Sequence, residues 1–558
     1  MKSGVRLFTC ITLVISILSC AKRASPTGGP KDSIPPVLIN ASPKLNSTYF
    51  NKLGFTLSFD EYVKLKDISK QLIISPPLNS SQYMVSPSTG ASKKISVELK
   101  DSLLDNTTYT FNFGNSIVDF NESNPIPFFT YTLSTGANID SLYIKGNVSD
   151  AFEKDTKNFI SLQLYPVDSV YSDSVIYNKK PLYVTNTLDS TIYRFQNLRE
   201  GKYNLIALQD FAGNYFFDQN IDKIGYLNRL IELPKDSIIN LKLFKEIEDF
   251  SWASPSFVNE HHVALAYYGE YENQSFSMIS EVPKSFKSLV NKNREADSLN
   301  FWFKGVKLDS IKFELEIKDT LRTKTAYLRK PIEDSLVIKS ITTGPLKLKS
   351  KFEVSSNLPI VSVDSSFVKV INVDSVNVPV SLKVLENYDR ILIDFEVLPN
   401  DKYNITLLPK ALEDFWGRTN DTLIFNTPTE KIEDYGNIYL RVIHNSPDPY
   451  IIELIQNKKV IRRYDSPSEG GLYSFELLDP GKYFVRLIED PNNNKRWDTG
   501  SYLGKVQPEK VIYYWKEIDL RANWDMNETF NTNENYPYPR ERVIDYEDPQ
   551  AQSNSILQ

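Results

Sequence analysis

The chain has 558 residues, enough for roughly three to five domains. Its content is 41% hydrophobic with 32 Tyr and 31 Phe, an ordinary globular composition tilted toward strand formers. A formal net charge of -6, with Lys and Arg dispersed among acids, excludes an electrostatic case for binding nucleic acid.

The chain opens on a signal-peptide pattern. Lys2 and Arg6 precede an apolar run from Leu7 to Leu18, too short to span a bilayer and stay there. The run ends Ile17-Leu18-Ser19-Cys20, which resembles a bacterial lipobox. That resemblance implies cleavage before Cys20 and acylation of Cys20, with a second acyl chain that makes the anchor stable. Cysteine usage agrees. Only 2 Cys occur, and Cys10 lies in the removed segment, so no intramolecular disulfide is possible and acylation consumes the one mature thiol. Ala21 lacks the aspartate that often retains lipoproteins in the inner membrane. Lys22-Arg23 lacks an acidic surface-export tag. The expected address is the outer membrane, facing the periplasm.

Residues 21–36, rich in Pro, Gly and Ser, predict a flexible tether. Beyond them, short runs alternate apolar and polar residues between Asn, Asp, Gly, Pro and Ser turns. Phe55 to Phe59, Ile95 to Leu99, Tyr109 to Phe113, Lys312 to Ile317 and Ile391 to Phe395 are examples. This spacing predicts an all-β chain of tandem β-sandwiches, and no long segment carries a helical stripe.

An internal repeat organises the chain. Tyr193-Arg-Phe195 through Leu198 to Gly201-Lys202-Tyr203 matches Tyr473-Ser-Phe475 through Leu478 to Gly481-Lys482-Tyr483. The match continues without gaps through Asp210/Asp490, Asn214/Asn494 and Asp218/Asp498. A weaker repeat precedes each copy. Tyr109 leads to Ile117-Val118-Asp119-Phe120, and Tyr403 leads to Ala411-Leu412-Glu413-Asp414-Phe415. The expected modules are A1 (37–137), B1 (138–245), a β-rich middle module (246–345) matching neither, A2 (346–435), B2 (436–528) and a disordered tail (529–558).

Module A1 resembles the SbsA-type bacterial Ig-like domain of Bacteroidetes lipoproteins. The Pro26-to-Pro36 lead-in, Phe55 to Val63, and Tyr109 to Asp119 carry the resemblance. The B modules resemble transthyretin-like or CNA-B-like sandwiches, with Leu-x-x-Gly-Lys-Tyr entering a core strand. These families imply stalks, adhesive arms and assembly subunits, and bring no catalytic residues.

Asp490, Asn492, Asn494 and Asp498 place side-chain oxygens at alternating positions, which suits a hard cation such as a structural calcium ion. Lys495 stands where a calcium loop wants glycine, and Ser501 where it wants a closing Glu. The same residues also suit an Asx-rich turn capped by its own side chains. The first copy keeps Asp210, Asn214 and Asp218. Asp-Ser or Asp-Thr followed by an apolar residue recurs, for example at Asp32, Asp168 and Asp236; it resembles an O-glycosylation acceptor and equally suits a turn before a strand. Tyr513, Tyr514 and Trp515 are the candidate contact for a glycan or a protein partner. The adjacent His261 and His262 would face opposite ways on a strand, which disfavours a shared metal. No nucleophile elbow, metalloprotease helix, P-loop or dinucleotide fingerprint occurs.

These features predict a non-enzymatic outer-membrane lipoprotein. It would need no cofactor, attach to the membrane through Cys20, and act as an interaction or assembly arm for an envelope protein partner. A carbohydrate-binding accessory lipoprotein is the alternative.

Overall fold

The computed structural model describes residues 32–272, 274–317, 320–329, 334–466 and 470–533. Cys20 and most of the tether lie outside them. The regular structure of the described chain is nearly all strand, folded into many small, mostly antiparallel sheets. Among the described residues no helix is long and apolar enough to cross a membrane.

The alternation read from sequence places apolar side chains inward. Phe55, Leu57 and Phe59 are buried while Thr56 and Ser58 are not, because successive strand residues face opposite sides. Five main cores result, and each draws on one stretch of chain: residues 38–133, 142–243, 250–317 with Ala326, 336–425 and 438–530.

The two B modules share one topology. In B1, Gly201–Gln209 lies between Ser161–Pro166 and Lys223–Tyr226, and Ile231–Leu233 adds to its start. In B2, Gly481–Glu489 lies between Tyr450–Gln456 and Val511–Tyr513, and Ile518–Leu520 adds to its start. Corresponding residues keep the same register, Tyr203 opposite Ile231 and Tyr483 opposite Ile518. Each of these tyrosines is buried and must satisfy its hydroxyl. Both do so alike, donating to the carbonyl oxygen four residues earlier, Arg199 at 2.9 Å and Asp479 at 2.6 Å.

The weaker repeat is equally structural. In A1 the Tyr109 hydroxyl accepts from the Leu104 amide at 3.1 Å, and in A2 the Tyr403 hydroxyl accepts from Leu398 at 2.8 Å. This is the tyrosine corner of β-sandwiches. Thr135 and Thr429 complete it by donating to the Leu104 and Leu398 carbonyls, at 2.7 and 2.6 Å.

Two edges differ from the sequence expectation. Ile338–Ser340 pairs with Phe352–Ser356, so the first strand of A2 lies before residue 346; a three-residue strand is too short to show alternation. At the other end, Asp525–Asn531 runs parallel to Gly436–Ile443 and buries Phe530, so the fold continues beyond residue 528. Its Asn-rich surroundings read as tail. The remaining tail, 534–558, lies outside the described residues.

Candidate functional site

The loop expected to hold a cation is built as a self-capped turn. The buried Asp490 carboxylate accepts the Asn494 amide on one oxygen and the Lys495 amide on the other, at 3.0 and 2.9 Å. Asn492 Oδ1 accepts the Asn494 amide and Asn494 Oδ1 accepts the Arg496 amide, both at 3.0 Å. Those bonds fix the orientation of the side-chain amides. Both Nδ2 groups therefore turn to Asp498 Oδ2, each at 2.6 Å, and Arg496 Nε reaches Asp498 Oδ1 at 3.1 Å. Each of these oxygens already has a donor, so the set fits a self-capped turn and not an open cation cage. Among the described residues no three His, Cys, Asp or Glu side chains converge on a metal position. The first copy has the same plan: Asp210 accepts the Asn214 amide at 3.3 Å and the Tyr215 amide at 2.7 Å.

The rigid turn presents the next segment, Arg496 to Gln507, to module B1. Tyr502 is fully buried there among Tyr165, Ile206, Tyr226 and Phe244, with its ring edge-on to Tyr226 at 5.1 Å. Its hydroxyl accepts from Asn204 Nδ2 at 2.8 Å, and its amide donates to Glu246. The Tyr226 hydroxyl lies 3.0 and 2.9 Å from the Ser501 and Val506 carbonyls and donates to them. Thr499 donates to the Lys245 carbonyl at 2.5 Å. Gly500 is required by this approach, since a Cβ there would stand 2.8 Å from the Phe244 ring and 2.6 Å from the Val506 carbonyl.

A second contact lies alongside. Phe152 of B1 packs on Trp497 at 4.6 Å and under the Arg486 guanidinium at 4.0 Å. Its carbonyl accepts the Tyr513 hydroxyl at 2.9 Å. At the rim, Lys505 pairs with Asp173 at 2.9 Å. Burial works against ionising Asp173, but Lys505 and Tyr171 outweigh it and hold its carboxyl below the usual range. Glu509, which accepts the Asp498 amide, is pushed up to about 7 by burial and by the Asp498 and Asp490 carboxylates.

The Tyr513-Tyr514-Trp515 cluster is split three ways. Tyr513 serves the B1–B2 boundary, Tyr514 is buried with its hydroxyl on Glu528 at 2.7 Å, and Trp515 is 47% exposed. It forms no continuous aromatic row. His262 is buried, stacked on Trp302 at 3.7 Å and bonded to Asn300, and burial pulls it down to about 4. Asp32 and Asp168 accept the amides of Ile34 and Val170, the turn expected of Asp-Ser.

Sequence reading missed Phe152, Tyr226, Phe244 and Tyr502. One signal was available. Tyr502 occupies the repeat position of Asp222, so an aromatic stands where the copy has a carboxylate.

Residues 32–135 match the family model of the bacterial Ig-like domain. They hold the first core and the first tyrosine corner. Among curated proteins none matches the chain. Among solved structures it is similar to the major pilin subunit BcpA of Bacillus cereus, at 11% identity over 71% of this chain and 99% of that one, with a TM-score of 0.14. It is also similar to the S-layer protein rSbsC, at 11% identity over 88% and 68%, with a TM-score of 0.16. Domains from titin match at 9% identity over 44% and 93%, with a TM-score of 0.13.

Proposed function

We propose that this chain is a non-enzymatic lipoprotein of the outer membrane, anchored through Cys20 and facing the periplasm. In this reading it is a Bacteroidetes envelope protein whose first module is of the SbsA type. It acts as a braced arm that presents fixed surfaces to an envelope protein partner.

The observation that carries the reading is the docking of B2 onto B1. Two modules far apart in sequence share a buried aromatic cluster, which a loose string of domains would not need. Other junctions complete the brace. The middle module meets A2 through buried Trp302, Leu358 and Phe415, with Arg294 on Asp389 at 2.9 Å. A2 meets B2 through Lys347, held between Glu430 and Asp479 at 3.0 and 2.7 Å. The chain joins B1 directly to the middle module, contact runs from there through A2 to B2, and B2 docks back on B1. Holding four modules in one arrangement lowers the ordering cost when a partner binds.

Co-purification from detergent-solubilised membranes tests the role. Recovery of a stable membrane-protein partner supports it, and recovery of the chain alone contradicts it.

A further inference from the structure

The end of A1 at which the chain enters carries an apolar surface. Val63 pairs with Asp119 across antiparallel strands, so the preceding and following residues, Tyr62 and Phe120, stand opposite each other on the other face. The Phe120 amide bonds the Tyr62 carbonyl at 2.9 Å, and both side chains are at least half exposed, 57% and 50%. Beside them, the Val37 amide bonds Asp60 Oδ1 at 2.8 Å, and Asn124 Nδ2 bonds the Asp32 carbonyl at 3.0 Å. These bonds bring the entering segment, with exposed Ile34, Val37 and Ile39, to the same end. Isolated exposed apolar residues are ordinary on a protein surface, but five at one end of one module form a patch.

Lysines flank the aromatics. Lys64 Nζ lies 5.5 Å from the Phe120 ring centre and donates to the Phe120 carbonyl; Lys93 lies 5.7 Å from the Tyr62 ring centre. Aromatic rings with adjacent long cationic side chains suit the bilayer interface, where an apolar body meets a polar edge. Asp60, Glu61 and Glu122 also border the patch, and burial with these neighbours raises the Glu61 carboxyl. That acidic rim disfavours a strongly anionic surface and suits a zwitterionic one. Reach allows the contact, since twelve residue steps separate Cys20 from Asp32, at most about 40 Å fully extended.

We infer that this end of A1 docks on the lipid surface, with Tyr62 and Phe120 seated at headgroup level and the arm projecting from the membrane at a set angle. The inference rests on the anchor reading of Cys20. Full-length lipidated protein is reconstituted in phosphatidylethanolamine–phosphatidylcholine vesicles, with an environment-sensitive fluorophore on Phe120→Cys or, as control, on the exposed Val373→Cys of A2. Acylation of Cys20 leaves the introduced thiol as the one reactive site. Headgroup-quencher lipids are expected to quench the label at 120 on the order of threefold more than the label at 373. Tyr62→Ser with Ile34→Ser should reduce that difference while the protein still floats with the vesicles. Equal quenching at both positions on floating protein overturns the docking and leaves the anchor standing. Protein that does not float overturns the anchor, and the docking with it.

Discussion

The Asn204 side chain donates to the Tyr502 hydroxyl at 2.8 Å across the boundary between the two B modules, and both residues are buried. Repeat copies usually diverge at their surfaces. Here the second copy carries an aromatic, where the first has Asp222, and that aromatic plugs into the first copy. Tyr502→Phe removes the hydroxyl that Asn204 bonds, at an expected cost of about 1 kcal/mol. Gly500→Ala is expected to cost about 1–3 kcal/mol, because the added methyl meets a ring and a carbonyl that the docked loop holds in place. Denaturant titration of the whole chain should show the boundary opening before the module cores in both variants.

The Asp490 turn should be indifferent to chelator. Each of its side-chain oxygens already accepts a hydrogen bond, so a melt in excess chelator is expected to overlay the untreated melt. A lowered melting temperature would restore a structural cation. Asp490→Ala, in contrast, strips the Lys495 amide of its acceptor and leaves the Asn494 amide only Asn492 Oδ1, and should destabilise B2 by about 1–3 kcal/mol.

The two tyrosine corners should behave as one motif. Tyr109→Phe and Tyr403→Phe each leave a backbone amide, Leu104 or Leu398, without its side-chain partner. Each is expected to cost about 1–3 kcal/mol. Unfolding of the two variants, followed by hydrogen exchange in A1 and A2, checks whether the losses match.

Glu509 sets a pH dependence with a definite sign. Its folded-state pKa is raised to about 7 from an ordinary 4.5, so the folded chain holds a proton that the unfolded chain releases. Its contribution is fully present below about pH 4.5 and is lost as pH rises through about 7. Asp498 and Asp490 add to the shift, and Arg496 opposes it. Glu509→Gln keeps an acceptor for the Asp498 amide and removes the titration. The melting temperature of the variant relative to wild type should therefore rise between pH 5 and pH 8. A flat difference would contradict the assignment.

Much of this architecture was legible in the residues. Alternation at Phe55 to Phe59 gives the strand and its buried face directly, and the Gly-Lys-Tyr match at 201 and 481 marks two sandwiches of one topology. The site was less legible. Asp490, Asn492, Asn494 and Asp498 have the same spacing whether their oxygens turn toward a cation or toward backbone amides, and only the register of those amides decides. Tyr513 ends its strand and Tyr514 and Trp515 lie beyond it, so strand alternation does not place them, and which one meets another module depends on contacts between distant parts of the chain. Phe152 meets Trp497 and Tyr226 meets Tyr502 for the same reason, and no local pattern marks either pair.

B1 and B2 are docked in the intact chain. Spin labels at Val170 of B1 and Leu503 of B2, both exposed, report on this docking through their distance distribution. The docked arrangement predicts a single narrow distribution that broadens with Gly500→Ala. A broad distribution in the unaltered chain, unchanged by that substitution, would contradict it.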